Sequence, residues 1–112
     1  MSKYMQLKVE VQSYYQNNLA DSYPHLARSL KSLAPDLVEK NPSLYALAGQ
    51  LDKLLYTFDG TPVREALLRR QDNLRRLYKE ITDHIADWHL AEADQLLYQL
   101  EDIFDKIDSE LG

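Results

Sequence analysis

LAEADQLLYQLEDIFDKIDSEL, residues 90–111, is the stretch on which the fold turns. Its apolar residues are Leu90, Ala93, Leu97, Leu100, Phe104, Ile107 and Leu111, and they recur at steps of three and four without a gap. That spacing gathers them on one face of a helix and leaves the acids outside. Such a helix must bury its stripe against other elements, and three more stripes of the same period precede it. Leu26, Leu30, Leu33 and Leu37 form the first. Leu44, Leu47, Leu51, Leu54 (or Leu55) and Phe58 form the second. Leu67, Leu74, Tyr78, Ile81, Ile85 and Trp88 form the third, with a polar gap near Arg70 and Gln71.

Nothing that breaks helices lies between Pro62 and Leu111. One helix of that span would be about 75 Å long. The stripe changes register, however: continuing from Ile81, Ile85 and Trp88 would place Glu92 on the apolar face. The chain resumes instead at Leu90 and Ala93, which predicts a tight turn at 86–90 with Asp87 as an N-cap. The two helices then form an antiparallel hairpin.

Charge supports that hairpin. Residues 61–79 carry Arg64, Arg69, Arg70, Arg75, Arg76 and Lys79 against Glu65 and Asp72. Residues 80–112 carry ten acids against Lys106. Folding back about residue 88 brings Arg70 near Ile107 and Arg76 near Glu101. Within the first of these helices Glu65–Arg69, Asp72–Arg76, Arg76–Glu80 and Lys79–Asp83 also stand at pairing distance. Exposed pairs stabilise by only about 0–1 kcal/mol each, so their main use is to set orientation.

Upstream, the breakers mark helix starts. Asn41-Pro42 and Thr61-Pro62 each set a capping residue before a proline, which suits the first helical turn. Asp21 or Ser22 precedes Pro24 in the same way, Asp59-Gly60 is a turn signal, and Pro35 ends or kinks a helix near Leu33. The segment 3–14 reads two ways. Met5, Leu7, Val9 and Val11 alternate as a strand would, and Tyr4, Leu7, Val11 and Tyr14 make a helical stripe. A strand there would need a partner from a second copy.

The whole chain, 1–112, is expected to be one all-α domain, an antiparallel bundle of four to five helices near 3–18, 22–39, 42–58, 62–86 and 90–110. Its core should include Leu26, Leu30, Leu47, Leu51, Leu67, Leu74, Ile81, Ile85, Leu97, Leu100 and Phe104. Forty-five per cent hydrophobic and 28% charged residues suit a globular chain of this length. The absence of cysteine excludes disulfides and thiolate chemistry, and the N-terminus lacks the apolar region of a secretory signal. A cytoplasmic protein is expected. The net charge of −5 argues against nucleic acid as a ligand.

No nucleophile–base pair, glycine-rich phosphate loop or paired carboxylates in an apolar setting occurs, so neither enzyme activity nor a cofactor is expected. Asp83, His84, Asp87 and His89 are the one group of metal-ligand type. Their spacing does not place the two histidines on one face, and no metal site is expected. What remains is partner binding. Arg69, Arg70, Arg75 and Arg76 form a basic cluster that either meets an anionic partner or pairs with the acids of its own hairpin. Trp88, at the turn, either caps the end of the bundle or touches a partner. Tyr14, Tyr15 and Tyr23 are the expected exposed aromatics among eight tyrosines.

The link Glu39-Lys40-Asn41-Pro42-Ser43-Leu44 and the helices after it resemble the enterocin A-type bacteriocin immunity proteins. In those, an acidic residue and an Asn-Pro step commonly join two helices. Leu44, Leu47 and Leu51 would lie in the second helix and Ala66-Leu67-Leu68 would begin the third, so the resemblance spans about residues 24–100. It implies an antiparallel four-helix bundle in the cytoplasm that protects its producer by engaging a bacteriocin–receptor complex at the membrane. The acidic C-terminal helix departs from the family pattern, and anionic lipid would repel it. The function expected is therefore non-enzymatic docking on another protein, one associated with a membrane if the resemblance holds. A self-associating scaffold, for instance a homodimer, or a small helical chaperone is the alternative.

Overall fold

Proline and glycine divide this chain as their chemistry requires. The computed structural model describes Val11 and residues 18–112. Among the described residues all regular structure is helical: α1 (Leu19–Ser22), α2 (Pro24–Lys31), α3 (Pro35–Glu39), α4 (Leu44–Gly49), α5 (Leu51–Thr57), α6 (Pro62–Arg69), α7 (Gln71–Ala86) and α8 (Leu90–Leu111). Pro24, Pro35 and Pro62 each open a helix, where a missing N–H costs nothing. Gly60 takes a φ of 79° in the turn before α6. The question of helix or strand at 3–14 falls outside the described residues, Val11 apart.

Of the expected rods, that at 90–110 is one helix, those at 22–39, 42–58 and 62–86 are subdivided, and that at 3–18 lies outside the described residues, Val11 apart. The rod at 22–39 becomes parts of α1, α2 and α3, because Pro35 stops α2 before Leu33, which is left exposed. The rod at 42–58 breaks at Gln50 and the rod at 62–86 breaks at Arg70. Both residues hold ψ near zero (17° and 10°). The helical ladder tightens by one residue there, with Gln50 N–H on the Leu47 carbonyl and Arg70 N–H on that of Leu67. At the first break Gly49 accommodates the Tyr78 ring, which lies 2.7 Å from where a Cβ would sit. At the second, the polar gap in the stripe marks the spot. The bend lets Leu67 and Leu74, on either side of it, reach the same core.

The capping residues differ from those expected. Ser43, not Asn41, caps α4, its Oγ accepting the Ala46 N–H at 3.0 Å. Asn41 sits beyond α3 with a φ of 49°, a conformation asparagine tolerates, and its Oδ1 accepts the Leu19 N–H at 2.8 Å. Thr61 donates its hydroxyl to the Phe58 carbonyl rather than capping α6. Neither Asp21 nor Ser22 caps α2. The acceptor for its third N–H, that of Leu26, is Asp108 Oδ1 from α8, at 2.8 Å. A carboxylate at a helix N-terminus satisfies an orphan donor and opposes the helix dipole. Asp108→Ala is therefore expected to destabilise the fold by about 1–2 kcal/mol, and Asp108→Asn by less, as measured by urea unfolding.

One contiguous cluster of buried residues joins all these helices except α3. Nine of the eleven expected core residues are buried; Ile85 and Leu97 are only partly so, at its edge. Leu19, Leu54, Phe58, Leu77 and Ile107 also belong to it. Tyr23, expected outside, is buried. The α8 stripe shows why its ends fail. Leu90, Leu97, Phe104 and Leu111 repeat every seven residues, and a straight helix drifts about 20° per such step. Phe104 is buried, Leu97 is half-buried and Leu90 is exposed, while Leu96 and Ile103 fill in behind.

Candidate functional site

The helices α6, α7 and α8 carry both candidate sites: the arginines at the base of the hairpin and Trp88 at its tip. Arg69 Nη1 meets Glu110 Oε2 at 2.8 Å, and Arg70 Nη2 meets Glu110 Oε1 at 2.6 Å. The start of α7 therefore lies beside the end of α8, so the two run antiparallel. Arg70 lands within three residues of its expected neighbour Ile107. Arg76 does not cross to Glu101; it pairs with Glu80 in its own helix, as Lys79 does with Asp83. Arg75 reaches Asp52 on α5 at 2.7 Å. Arg64 donates to the Leu55 carbonyl at 3.2 Å and lies 3.6 Å from Asp59. Every cation of the basic stretch is thus engaged with an acceptor of this chain. The Glu110 and Asp52 partners are separated in sequence by 41 and 23 residues, so local spacing gave no signal of them.

Arg70 is the most enclosed of these, at 19% side-chain exposure, and its Nη1 is buried with no hydrogen-bond partner among the described residues. Its hydrogen bond is the main reason the Glu110 carboxyl is held below the usual carboxylate range; desolvation opposes this and Arg69 adds to it. A carboxylate with a lowered folded pKa stabilises the fold above its unfolded value, about 4.3 for glutamate. That stabilisation is lost as pH falls through the folded value. Glu110→Gln is expected to be about 1 kcal/mol less stable than the parent at neutral pH. The gap should close in acid, once the parent carboxyl is protonated in both states. Thermal melts of the two proteins across pH measure this directly.

At the other end, α7 stops with a Schellman turn. The Trp88 N–H bonds the Ile85 carbonyl at 3.1 Å and the His89 N–H bonds that of His84 at 2.7 Å. The position between, usually glycine, is Trp88 with a φ of 60°. Asp87 is the C-cap of α7, not the N-cap of α8; His89 occupies that position without a side-chain bond. The turn also folds His89 back toward His84, which helical spacing alone had kept apart. Their rings are 5.6 Å between centroids, and their Nδ1 atoms are 3.4 Å apart. No group of three or more ligating side chains gathers there or elsewhere among the described residues. Trp88 is 54% exposed at the tip, and Leu90 beside it is 43% exposed.

A third feature was not anticipated. Tyr45 of α4 stacks on Tyr78 of α7, with centroids 4.8 Å apart, and its hydroxyl meets that of Thr82. Ser43, Ala46, Gly49 and Ile85 help line an open groove of about 510 Å³ around them. Burial raises the Tyr45 pKa above the usual phenol value, and Tyr78 adds to that against the Thr82 hydrogen bond. Tyr56 on α5 and Tyr98 on α8 are exposed.

No family model, curated protein or solved structure matches the chain. No helix among the described residues is long and apolar enough to cross a membrane.

Proposed function

We propose that this protein is a non-enzymatic binding domain that docks on another protein through the tip of its α7–α8 hairpin. One observation carries the reading: Trp88 is held in a backbone conformation that costs a bulky residue about 1–3 kcal/mol, yet over half of it faces solvent. A strained, displayed tryptophan contributes little to the fold for its cost. It is also the residue type most enriched among side chains that anchor protein interfaces. Leu90 extends the apolar surface beside it. Arg69, Arg70, Arg75 and Arg76 are assigned the complementary task of holding the fold, Arg69 and Arg70 by clasping α8, Arg75 by tying α7 to α5 and Arg76 within α7 itself.

In this reading the eight helical segments act as an antiparallel bundle of four to five rods. The rods among the described residues are α2, α4 with α5, α6 with α7, and α8, with α1 and α3 as short pieces before and after α2. The immunity-protein resemblance fits a bundle that works by docking, and it names a membrane-associated receptor complex as the partner to test first. Neither nucleic acid nor a cofactor has a role.

The test is a photo-crosslinking amino acid placed at position 88 in the producing cell, with the still more exposed position 56 as a control. A discrete adduct at 88 and none at 56 is the expected result. Adducts at 75 or 76 without one at 88 would return the site to the arginines. An adduct of the chain with itself would identify a self-associating scaffold instead.

A further inference from the structure

Leu90, Asp94, Tyr98, Glu101 and Asp105 follow one another on α8 at steps of four, four, three and four. At 100° per residue they share one flank of the helix, beside the buried stripe. All five are exposed, Tyr98 at 61%. The flank begins next to Trp88 and runs about 22 Å along the helix. It is aromatic and apolar as well as acidic, the composition of an anchored interface with a charged rim rather than of a plain solvated face.

Among the described residues, no cation pairs with the acids on this flank. Asp108, three residues further along, is taken by the N-terminus of α2, and Glu110 by two arginines. Asp94, Glu101, Asp102 and Asp105 form no ion pair among the described residues, while the cations of α6 and α7 are all occupied elsewhere. Glu101 shows the result: its pKa is raised, first by partial desolvation and then by Asp105, Asp102 and Asp94. A cation laid along the flank would relieve that repulsion and could stack on Tyr98.

From this juxtaposition we infer that the α8 flank, Leu90 to Asp105, with Trp88 at its head, docks a lysine- or arginine-rich amphipathic segment of a partner protein. The inference rests on the tip-docking reading and adds the partner's chemistry. Trp88 and Leu90 take the segment's apolar side chains, and Asp94, Glu101 and Asp105 take its cations. Such a segment would need roughly 15 helical residues to cover the flank.

A synthetic basic amphipathic peptide of about that length, titrated into isotope-labelled full-length protein by NMR, tests it. Expected are shifts confined to residues 88–105 and binding that weakens with salt. Combined Asp94→Asn, Glu101→Gln and Asp105→Asn replacement should weaken binding about tenfold, since three rim charges are lost. This variant removes repulsion and should fold at least as well as the parent, which circular dichroism checks. Undiminished binding by the triple variant would overturn the inference. So would shifts mapping to the Tyr45–Tyr78 groove, or equal competition by a free polyamine. The two proposals separate cleanly. A crosslink at position 88 that persists in the triple variant leaves tip docking intact and rejects the basic partner. Peptide binding on the flank without any crosslink at 88 rejects the tip.

Discussion

Leu100→Ala is expected to destabilise the fold by about 3 kcal/mol, the middle of the range for emptying a fully buried leucine site. Leu100 has no exposed surface and sits midway along α8, which packs against α2, α4, α6 and α7. Truncation removes contacts to several elements at once, and neighbours fixed on four sides have little freedom to collapse into the space. For a domain of this size such a loss is a large part of the usual 5–15 kcal/mol of stability. It should lower the melting temperature by roughly 10–20 °C. The neighbouring positions sharpen the prediction. Leu97→Ala, at the edge of the stripe, should cost less than half as much, and the exposed Tyr98→Ala about 0.5 kcal/mol or less. Urea midpoints for the three variants, with unchanged slopes, measure the phase of α8 about its own axis. If Tyr98→Ala were as costly as Leu100→Ala, the helix would be rotated from the orientation described, and the exposed flank would not exist.

The period of the apolar residues was enough to give the all-helical class, most of the core and the hairpin turn, because burial acts on every third or fourth residue and leaves a repeated mark; it did not show that three of the expected rods are subdivided. It was not enough to place the caps. Asp108 serves the N-terminus of α2 from 82 positions away, and no local pattern encodes a contact of that reach. The same holds for Arg75 and Asp52. Charge blocks gave the hairpin its direction, but not the choice between Glu101 and Glu110 as the acid that the arginines meet. The break at Gln50 has no local signature, being explained by the Tyr78 ring against Gly49, a tertiary contact; that at Arg70 was marked only by the polar gap in the stripe. Of the candidate site, the sequence marked Trp88 by its place at a turn. It could not show that the tryptophan would take the glycine position of a Schellman turn, since that depends on where α7 ends to the residue.

The arginines and the acids of this hairpin have different fates, and under the proposed reading that difference separates holding the fold from meeting a partner. Arg69 and Arg70 share one carboxylate at the base, and this clasp fixes the two helices where they are furthest from the turn. Toward the tip the chain spends no cation on α8 at all among the described residues. The base is closed by charge, so under the proposed reading a partner approaching the tip along α8 would meet carboxylates and aromatic surface without displacing any ion pair that α8 makes among the described residues.

Trp88→Gly and Trp88→Ala are expected to lose the partner alike and to differ in stability. Both variants remove the ring, its partly buried area and any contact it makes with another protein. They differ only in the backbone. Alanine retains the clash of Cβ with the following carbonyl at a φ of 60°, whereas glycine does not. Trp88→Gly should therefore be more stable than Trp88→Ala by about 1 kcal/mol, net of the extra chain entropy glycine loses on folding. This order is the reverse of that expected within a helix, where alanine is favoured. Equal stabilities would mean that the turn relaxes out of the left-handed conformation once the ring is gone. The pair also gives the binding measurement its control. If the adduct at position 88 reflects a real interface, affinity for the identified partner should fall by a similar factor of ten or more in both variants, as for an aromatic anchor. A loss that tracked stability, severe in the alanine variant and slight in the glycine variant, would show that Trp88 acts through the fold. The partner surface would then lie elsewhere on α8.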